Sequence, residues 1–523
     1  MNRLKGCHEQ PFAFYRAWQQ KANYAKTLAS AQLCENTFEN GAHYRHIAPS
    51  DKHLFRMLHQ IPEASVHRSV EKINTWRQMR IVPFMACLLM LLCSLPAVAE
   101  DTAKQRIVIL TDIGADPGDQ QSLVRLLLYS NELNIEGLLA TSRMEQGLDT
   151  RPELIESTIA AYGKVYANLQ QHRPGYPSPD SLLNRVKTGL GDPSKMGEGW
   201  NTQASRWLTQ CVERRDERPL WICIWGGSRE LAQALWSVRD RRDKKAMTAF
   251  IEKIRIYAVG DQDRWGYWIN KNFPELFYIY AGSCGDRACS GYRGQYLTGD
   301  QSMQDGAWIE ANIRQTHGAL GAQYPRNGAS TNGMKEGDTP SFMYCYRNGL
   351  MEPDHPQWGG WGGRFQQDRE GYYIDAADQW QGSQDERYSV SRWRPAFQRD
   401  LQARMDWCRT ANQDSANHHP VVIVNGQAGR DPVLLQAQTG QTIELDSNGT
   451  SDPDQQPLNY LYWAYQEPSN ITGYLKVQDG DQPRCRLTIP YGLSGKSIHI
   501  ILQVTDTGDP PLTSYRRIII NIE

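Results

Sequence analysis

Residues 106–130, RIVILTDIGADPGDQQSLVRLLLYS, leave the chain few ways to fold. Ile107–Leu110 is an apolar run of strand length. Asp112, Asp116 and Asp119 follow within eight residues, interleaved with Gly114, Pro117 and Gly118. Leu123, Leu126, Leu127 and Tyr129 then recur at helical spacing. A buried strand, an acidic Gly-rich turn and a helix together describe the carboxyl end of a parallel strand, where open α/β sheets place their ligands. Acids crowded into one turn repel each other unless positive charge sits between them. A hard cation with oxygen ligands, such as calcium, supplies it. The competing reading is a solvated turn in which Asp119 only caps the helix.

The rest of the chain repeats this layout. Ile135–Thr141 reads as a second strand, completing a βαβ unit, and a helix is expected over Arg151–Gln171. Leu220–Trp225 is a third buried strand, running into Gly226-Gly227-Ser228 and a helix Glu230–Val238. Lys253–Val259 ends at Gly260-Asp261-Gln262-Asp263, and Leu276–Tyr280 is a fifth strand. Met334–Asn348 carries an acidic turn, KEGD, into an apolar run, and Ala396–Cys408 is helix-like. Strands alternating with helices predict a parallel α/β domain over 104–412. Asp261 and Asp263 share the strand-end edge, where binding sugar hydroxyls and capping a helix are equally good roles. In Gln357–Phe365, QWGGWGGRF, Trp358 and Trp361 either flank a ligand or pack a tight loop. From about Asn417 short β-rich runs take over: Val421–Asn425, Gln441–Leu445, Leu458–Tyr465, Cys485–Ile489, Ile498–Thr505 and Tyr515–Ile522. They predict a β-sandwich over 417–523, in which Asp446, Asp452 and Asp454 are turn acids or calcium ligands.

A net charge of −1 gives no footing for a nucleic-acid partner. The 16 Trp and 25 Tyr suit a protein that handles sugar rings, although most such residues pack cores. Met79–Ala99 has a basic start, an apolar stretch too short for a comfortable membrane span, and a small-residue end. It reads as a secretory signal peptide cleaved before Glu100, leaving a periplasmic or secreted protein with no membrane partner. Residues 1–78 then read as an upstream extension of the frame, with Met79 as the true start. Seven cysteines follow the cleavage site, and Cys284 and Cys289 are the pair brought nearest by sequence.

Several of these stretches resemble one family. TDIGADPGD is similar to the D-x-D-x-G-x-D-D signature of nucleoside hydrolases, IWGGSRELAQAL to their Gly-Pro-Leu-Thr-Asn turn, and EGDTPSFMY to their late acidic turn. DQQSLVRLLLYSNELNIEGLLAT, RPLWICIWGG, VGDQDRWGYWINKNFPELFYI and GGWGGRF resemble, more narrowly, a secreted bacterial branch known as cellulose-binding proteins. Members of that branch also carry a C-terminal immunoglobulin- or cadherin-like domain. The resemblance implies a calcium site of Asp112, Asp119 and Asp338 with a backbone carbonyl of Ser228 or Arg229. It also implies Asp112 as the base that takes a proton from water. Substrate contacts would come from Asp116, Asp261, Asp263, Trp358 and Trp361. The chain departs from the parent enzymes at Leu110 and Gly118, where they carry acids, and at Ser228-Arg229-Glu230, where they carry Leu-Thr-Asn. No histidine matches the one that protonates the leaving base.

Three functions fit these residues: a calcium-dependent hydrolase of N- or O-glycosidic bonds, a non-catalytic carbohydrate binder, and a structural calcium site. The expected partner is a carbohydrate or glycoside, and the oligomeric state is left open.

Overall fold

The computed structural model describes residues 104–142, 149–282, 290–327, 333–368, 371–471, 473 and 475–523. The signal segment, the extension before it, and the Cys284–Cys289 pair lie outside the described residues.

Eight strands form the main sheet: β1 (Arg106–Thr111), β2 (Asn134–Ala140), β3 (Val186–Thr188), β4 (Leu220–Ile224), β5 (Ile254–Val259), β6 (Phe277–Ala281), β7 (Phe365–Gln367) and β8 (Tyr373–Asp375), in the order β3-β2-β1-β4-β5-β6-β8-β7. Every neighbouring pair is parallel except β7 and β8. The principal helices are α1 (Pro117–Leu128), α2 (Pro152–Gly163), α3 (Tyr166–His172), α4 (Gln203–Val212), α5 (Arg229–Arg241), α6 (Lys244–Glu252), α7 (Trp265–Asn272), α8 (Thr339–Met343) and α9 (Arg394–Trp407). The helix expected over Arg151–Gln171 is broken into α2 and α3.

Along β1, Ile107 and Ile109 enter one apolar core and Val108 and Leu110 the other. Both faces of the strand are therefore covered, which is why it reads as a continuous apolar run. β1 lies between β2 and β4. The chain moves outward from β1 through β2 and β3, then returns to the other flank and continues through β4, β5 and β6. That reversal makes the crevice between β1 and β4 the topological switch point of the sheet.

Two short hairpins, β9 (Asp378–Trp380) with β10 (Ser383–Asp385) and β11 (Ile423–Val424) with β12 (Gln427–Ala428), precede the C-terminal sheets. There β13 (Val433–Ala437), β15 (Asn459–Tyr465), β17 (Ser497–Thr505) and β18 (Thr513–Ile522) form one sheet, ordered β13-β18-β17-β15. β14 (Thr442–Asp446) pairs with β16 (Arg484–Thr488) in another, and both sheets feed one core through Leu445, Leu487, Ile500 and Ile518. Tyr465, Ile501 and Tyr515 face the other way and join the core of the main sheet. No helix among the described residues is long and apolar enough to cross a membrane. Cys211, Cys223, Cys345, Cys408 and Cys485 are buried free thiols.

Candidate functional site

At the switch point the ends of β1 and β4 are locked together, with the Trp225 amide donating to the Leu110 carbonyl at 2.8 Å. This sets Asp112 beside the Gly226-Gly227 turn. A Cβ on Gly226 would lie 2.5 Å from Asp112 Oδ1, closer than atoms can approach. A Cβ on Gly227 would collide with the Ser142 carbonyl and with Asp263 Oδ2. The two glycines are what lets three strand ends converge. Gly226→Ala is expected to displace the Asp112 carboxylate and to cost about 1–3 kcal/mol, the usual penalty for forcing an extra carbon into a packed site. The urea midpoint of tryptophan fluorescence checks this, with circular dichroism expected to match the wild type.

Asp116 and Asp119 separate in role. Asp116 is the N-cap of α1: its Oδ1 accepts from the Gly118 amide at 2.7 Å, and its Oδ2 pairs with Lys335 Nζ at 2.9 Å on the rim. Capping thus falls to Asp116, so Asp119, in the first turn, is turned inward and is 5% exposed. Asp119 Oδ1 accepts from the Thr111 hydroxyl. Burial holds its carboxyl well above the usual range, reinforced by the charges of Asp112 and then Asp338. Asp112 and Asp338 are themselves 1% and 7% exposed. The structure therefore gathers the acids of the first and the late turns into one buried group.

The two acids of KEGD divide in the same way. Asp338 occupies the position before α8 and faces Gly118, where a Cβ would lie 3.6 Å from its Oδ2. Glu336 is fully buried and pairs with Arg125 at 2.5 Å. Beside Asp338 lies a feature that the sequence reading missed: Tyr292 and Tyr296 cover Gly337, with Arg293 donating to both hydroxyls at 3.2 and 3.0 Å. Burial raises the Tyr296 hydroxyl to about 12, and the charges of Asp338 and Asp116 act in the same direction. The signal available in the sequence was SGYRGQY, two tyrosines on a Gly-rich turn.

Other expected site residues take structural roles. Ser228 is buried, but its carbonyl accepts from the Ala232 amide at 3.0 Å and so belongs to the first turn of α5. Asp261 accepts from the Gly266 and Tyr267 amides at 3.1 and 3.0 Å, capping α7. Asp263, 3% exposed, accepts from the Trp265 amide at 3.0 Å and the Arg229 amide at 2.8 Å, and burial raises it to about 7. Of the two roles open to these acids, capping and turn-tying is the one the hydrogen bonds show.

Both tryptophans of QWGGWGGRF pack against the protein, Trp361 fully and Trp358 in part. Trp361 is 2% exposed and packs edge-on against Tyr346 and Tyr515. Trp358 stacks on His355 at 3.9 Å and meets His499 edge-on at 5.2 Å, which ties the loop to the C-terminal sheet. The loop is packing.

Arg229 and Glu230, the charged pair that replaces Leu-Thr-Asn, turn inward and fasten the loop 189–202. Arg229 donates to the Lys195 and Trp200 carbonyls at 2.7 and 2.6 Å. Glu230 accepts from the Leu190 amide at 2.9 Å and from the Thr202 hydroxyl. Gln233, one turn on, donates to the Gly197 carbonyl at 3.0 Å. The substitution therefore builds a wall beside the crevice, with Trp200 left 42% exposed on it.

An oxygen-only set of buried like charges has the chemistry of a hard-cation site. By spacing alone, no three His, Cys, Asp or Glu among the described residues stand close enough together to hold a metal.

A family model described as "Cellulose-binding Sde182, nucleoside hydrolase-like domain" matches residues 106–365, and one described as "Cellulose-binding protein Sde0182, C-terminal domain" matches 442–522. Among solved structures, the chain is similar to a nucleoside hydrolase-related hypothetical protein from Saccharophagus degradans, described as associated with carbohydrate metabolism. The identity is 34% and the TM-score 0.71, covering 80% of this chain and 100% of that one. A PKD domain from the KIAA 1837 protein (18% identity, 18% of this chain, 83% of that one, TM-score 0.14) also matches, as does a fragment of human CDH23 (16%, 20%, 33%, 0.16). Likenesses that distant have no bearing on function. No curated protein matches. With both models in the expected order and a solved relative matched over its whole length, the chain belongs to the cellulose-binding Sde182 family, built on a nucleoside hydrolase-like domain.

Proposed function

We propose that this protein is an exported, carbohydrate-active hydrolase that cleaves a glycosidic bond at the switch-point crevice with the help of calcium. The observation that supports this reading is the buried group of Asp112, Asp119 and Asp338, gathered from two separate turns at one strand-end edge. Such a group is costly to bury unless it is used, because each carboxylate raises the energy of the others. Asp112, Asp119 and Asp338 would hold the ion once its charge draws their carboxylates together, since without it they stand too far apart to share one. Calcium, when bound there, would supply the charge that acidifies a water and holds sugar hydroxyls. Asp112 would take the proton of a water that bonds to the anomeric carbon, while the bond to the leaving oxygen or nitrogen breaks and the leaving group takes up a proton from solvent. The remaining carboxylates stabilise the positive charge that develops at the anomeric carbon. Tyr292 and Tyr296 offer aromatic surface beside Asp338, and Asp116 with Lys335 forms a polar rim.

A second reading is favoured by the family description: a non-catalytic carbohydrate binder, cellulose being the named ligand. Incubating the full chain with cellulose, other plant and bacterial glycans and nucleosides separates the two. The hydrolase reading expects release of reducing sugar that disappears in Asp112→Ala and with EDTA. Retention on cellulose with no release from any substrate supports the binder.

A further inference from the structure

Far along the chain, where α9 gives way to the C-terminal sheets, three buried oxygens from separate residues are left without a hydrogen-bond partner: Asp452 Oδ2, Asp506 Oδ2 and Gln456 Oε1. Each belongs to a side chain whose other polar atom is engaged. Asp506 Oδ1 accepts from the Gly508 and Leu512 amides at 3.0 and 2.9 Å, and from Asn417 Nδ2 at 2.9 Å. Asp452 Oδ1 accepts from the Asp454 and Gln456 amides at 2.9 and 3.1 Å.

The amide orientations are fixed by the same network. Asn417 Nδ2 donates to Asp506 Oδ1 and to the Pro510 carbonyl, each at 2.9 Å, so its oxygen must accept. Gln456 Nε2 donates to that oxygen at 2.8 Å, which turns Gln456 Oε1 the other way as an acceptor. The parts are close together. Asn417 Nδ2 and Gln456 Oε1 would both touch a Cβ placed on Gly508, and the Asp452 charge acts on Asp506.

Three acceptors, two of them on carboxylates, are joined through this one hydrogen-bond network and have no donor of their own. Asp506 is 1% exposed, so bulk water does not screen it. Beside the cluster opens a cavity of about 470 Å³ lined by Asn417, Asp454, Gln456 and Asp509, with no lysine or arginine among its lining residues. A water could donate to two of the three oxygens but would leave the two negative charges uncompensated. A cation compensates both.

We propose that Asp452, Asp506 and Gln456 hold a divalent cation, calcium by its preference for carboxylate and amide oxygens and its tolerance of irregular geometry. The site differs from the turn-acid set expected from sequence. Asp446 pairs with Arg484, and Asp454 accepts from the His418 amide at 2.7 Å, so only Asp452 is shared. The cation joins two turns of the C-terminal sheets, and Asn417, bonded to Asp506 and Gln456, ties the segment leaving α9 to them, so its role is to stiffen that junction. It does not rest on the strand-end pocket.

Calcium chloride titrated into the EDTA-treated full chain carrying Asp112→Ala and Asp338→Ala tests it, since those changes remove the strand-end acids. One equivalent is expected to bind and to raise the melting temperature. Adding Asp506→Asn, which keeps an acceptor for the backbone amides, is expected to weaken binding at least tenfold. Adding Gln456→Glu, which supplies a third charge, is expected to tighten it. Absence of binding in the Asp112→Ala, Asp338→Ala background, or an unchanged affinity with Asp506→Asn, overturns the proposal and leaves the reading of the strand-end pocket untouched.

Discussion

Glu336→Ala is expected to destabilise the protein by about 3–5 kcal/mol, the usual cost of stranding one partner of a buried ion pair. The Arg125 guanidinium is fully buried, and Glu336 is the carboxylate against it at 2.5 Å. Arg125 also donates to the Phe397 carbonyl at 3.1 Å and to Gln398 at 2.5 Å, so this one side chain ties α1 to α9 as well. Glu336 further accepts from the Tyr324 hydroxyl at 2.7 Å and the Thr339 hydroxyl at 3.0 Å. Its removal unfastens the turn that carries Asp338. The urea midpoint of tryptophan fluorescence reads the effect, with Glu336→Gln losing less because it keeps part of the hydrogen bonding. Asp338→Ala, two residues away, is expected to leave the midpoint near wild type while abolishing cation binding in the crevice. Equal midpoints for Glu336→Ala and wild type would show that Arg125 is satisfied without its carboxylate.

Acidification from pH 7 to pH 5 is expected to remove about 2 kcal/mol of stability through His499 alone, at about 1.4 kcal/mol for each pH unit below the unfolded imidazole's pKa. His499 is 2% exposed on β17, and its Nδ1 lies 3.0 Å from Arg517 Nη1. Arg517 donates to the carbonyls of Leu350, Trp358 and Gly359, neutral acceptors that leave its charge in place. Burial, and then the Arg517 charge, push the imidazole down to about 3. The sign follows: below about 6.5 the unfolded chain takes up a proton that the folded chain refuses. Stability is therefore full above that pH and falls as pH drops toward the folded value. His172 and His419, both lowered first by burial, add to the slope. Urea midpoints at pH 7 and pH 5 measure it, and His499→Gln should remove its share. An unchanged pH dependence in that variant would assign the effect elsewhere.

The strand-turn-helix units were readable because both faces of β1 and β4 are covered, which leaves uninterrupted apolar runs in the sequence, and β5 is broken only by Arg255. Shorter or half-exposed strands carried no such mark. β3 is Val-Lys-Thr with no buried residue, and β13 is buried only at Val433 and Ala437. Among the site residues, the acids of the two turns could be found from spacing and resemblance. Their division of labour could not. Whether Asp116 or Asp119 caps α1, and whether Glu336 or Asp338 faces the crevice, depends on which side chain meets Arg125, Lys335 or Thr111 in space. Trp361 looked available because glycines flank it, yet those glycines are what allow the loop to press it into the core.

Calcium titration of the EDTA-treated full chain, wild type against Asp112→Ala, bears most directly on the crevice. The carboxylate group at the switch point predicts calcium binding in the wild type and the loss of one equivalent in Asp112→Ala, with the junction site around Asp506 still filled. Identical stoichiometry and affinity in the two proteins would mean that Asp112, Asp119 and Asp338 hold no cation, and the hydrolytic reading would fall with them.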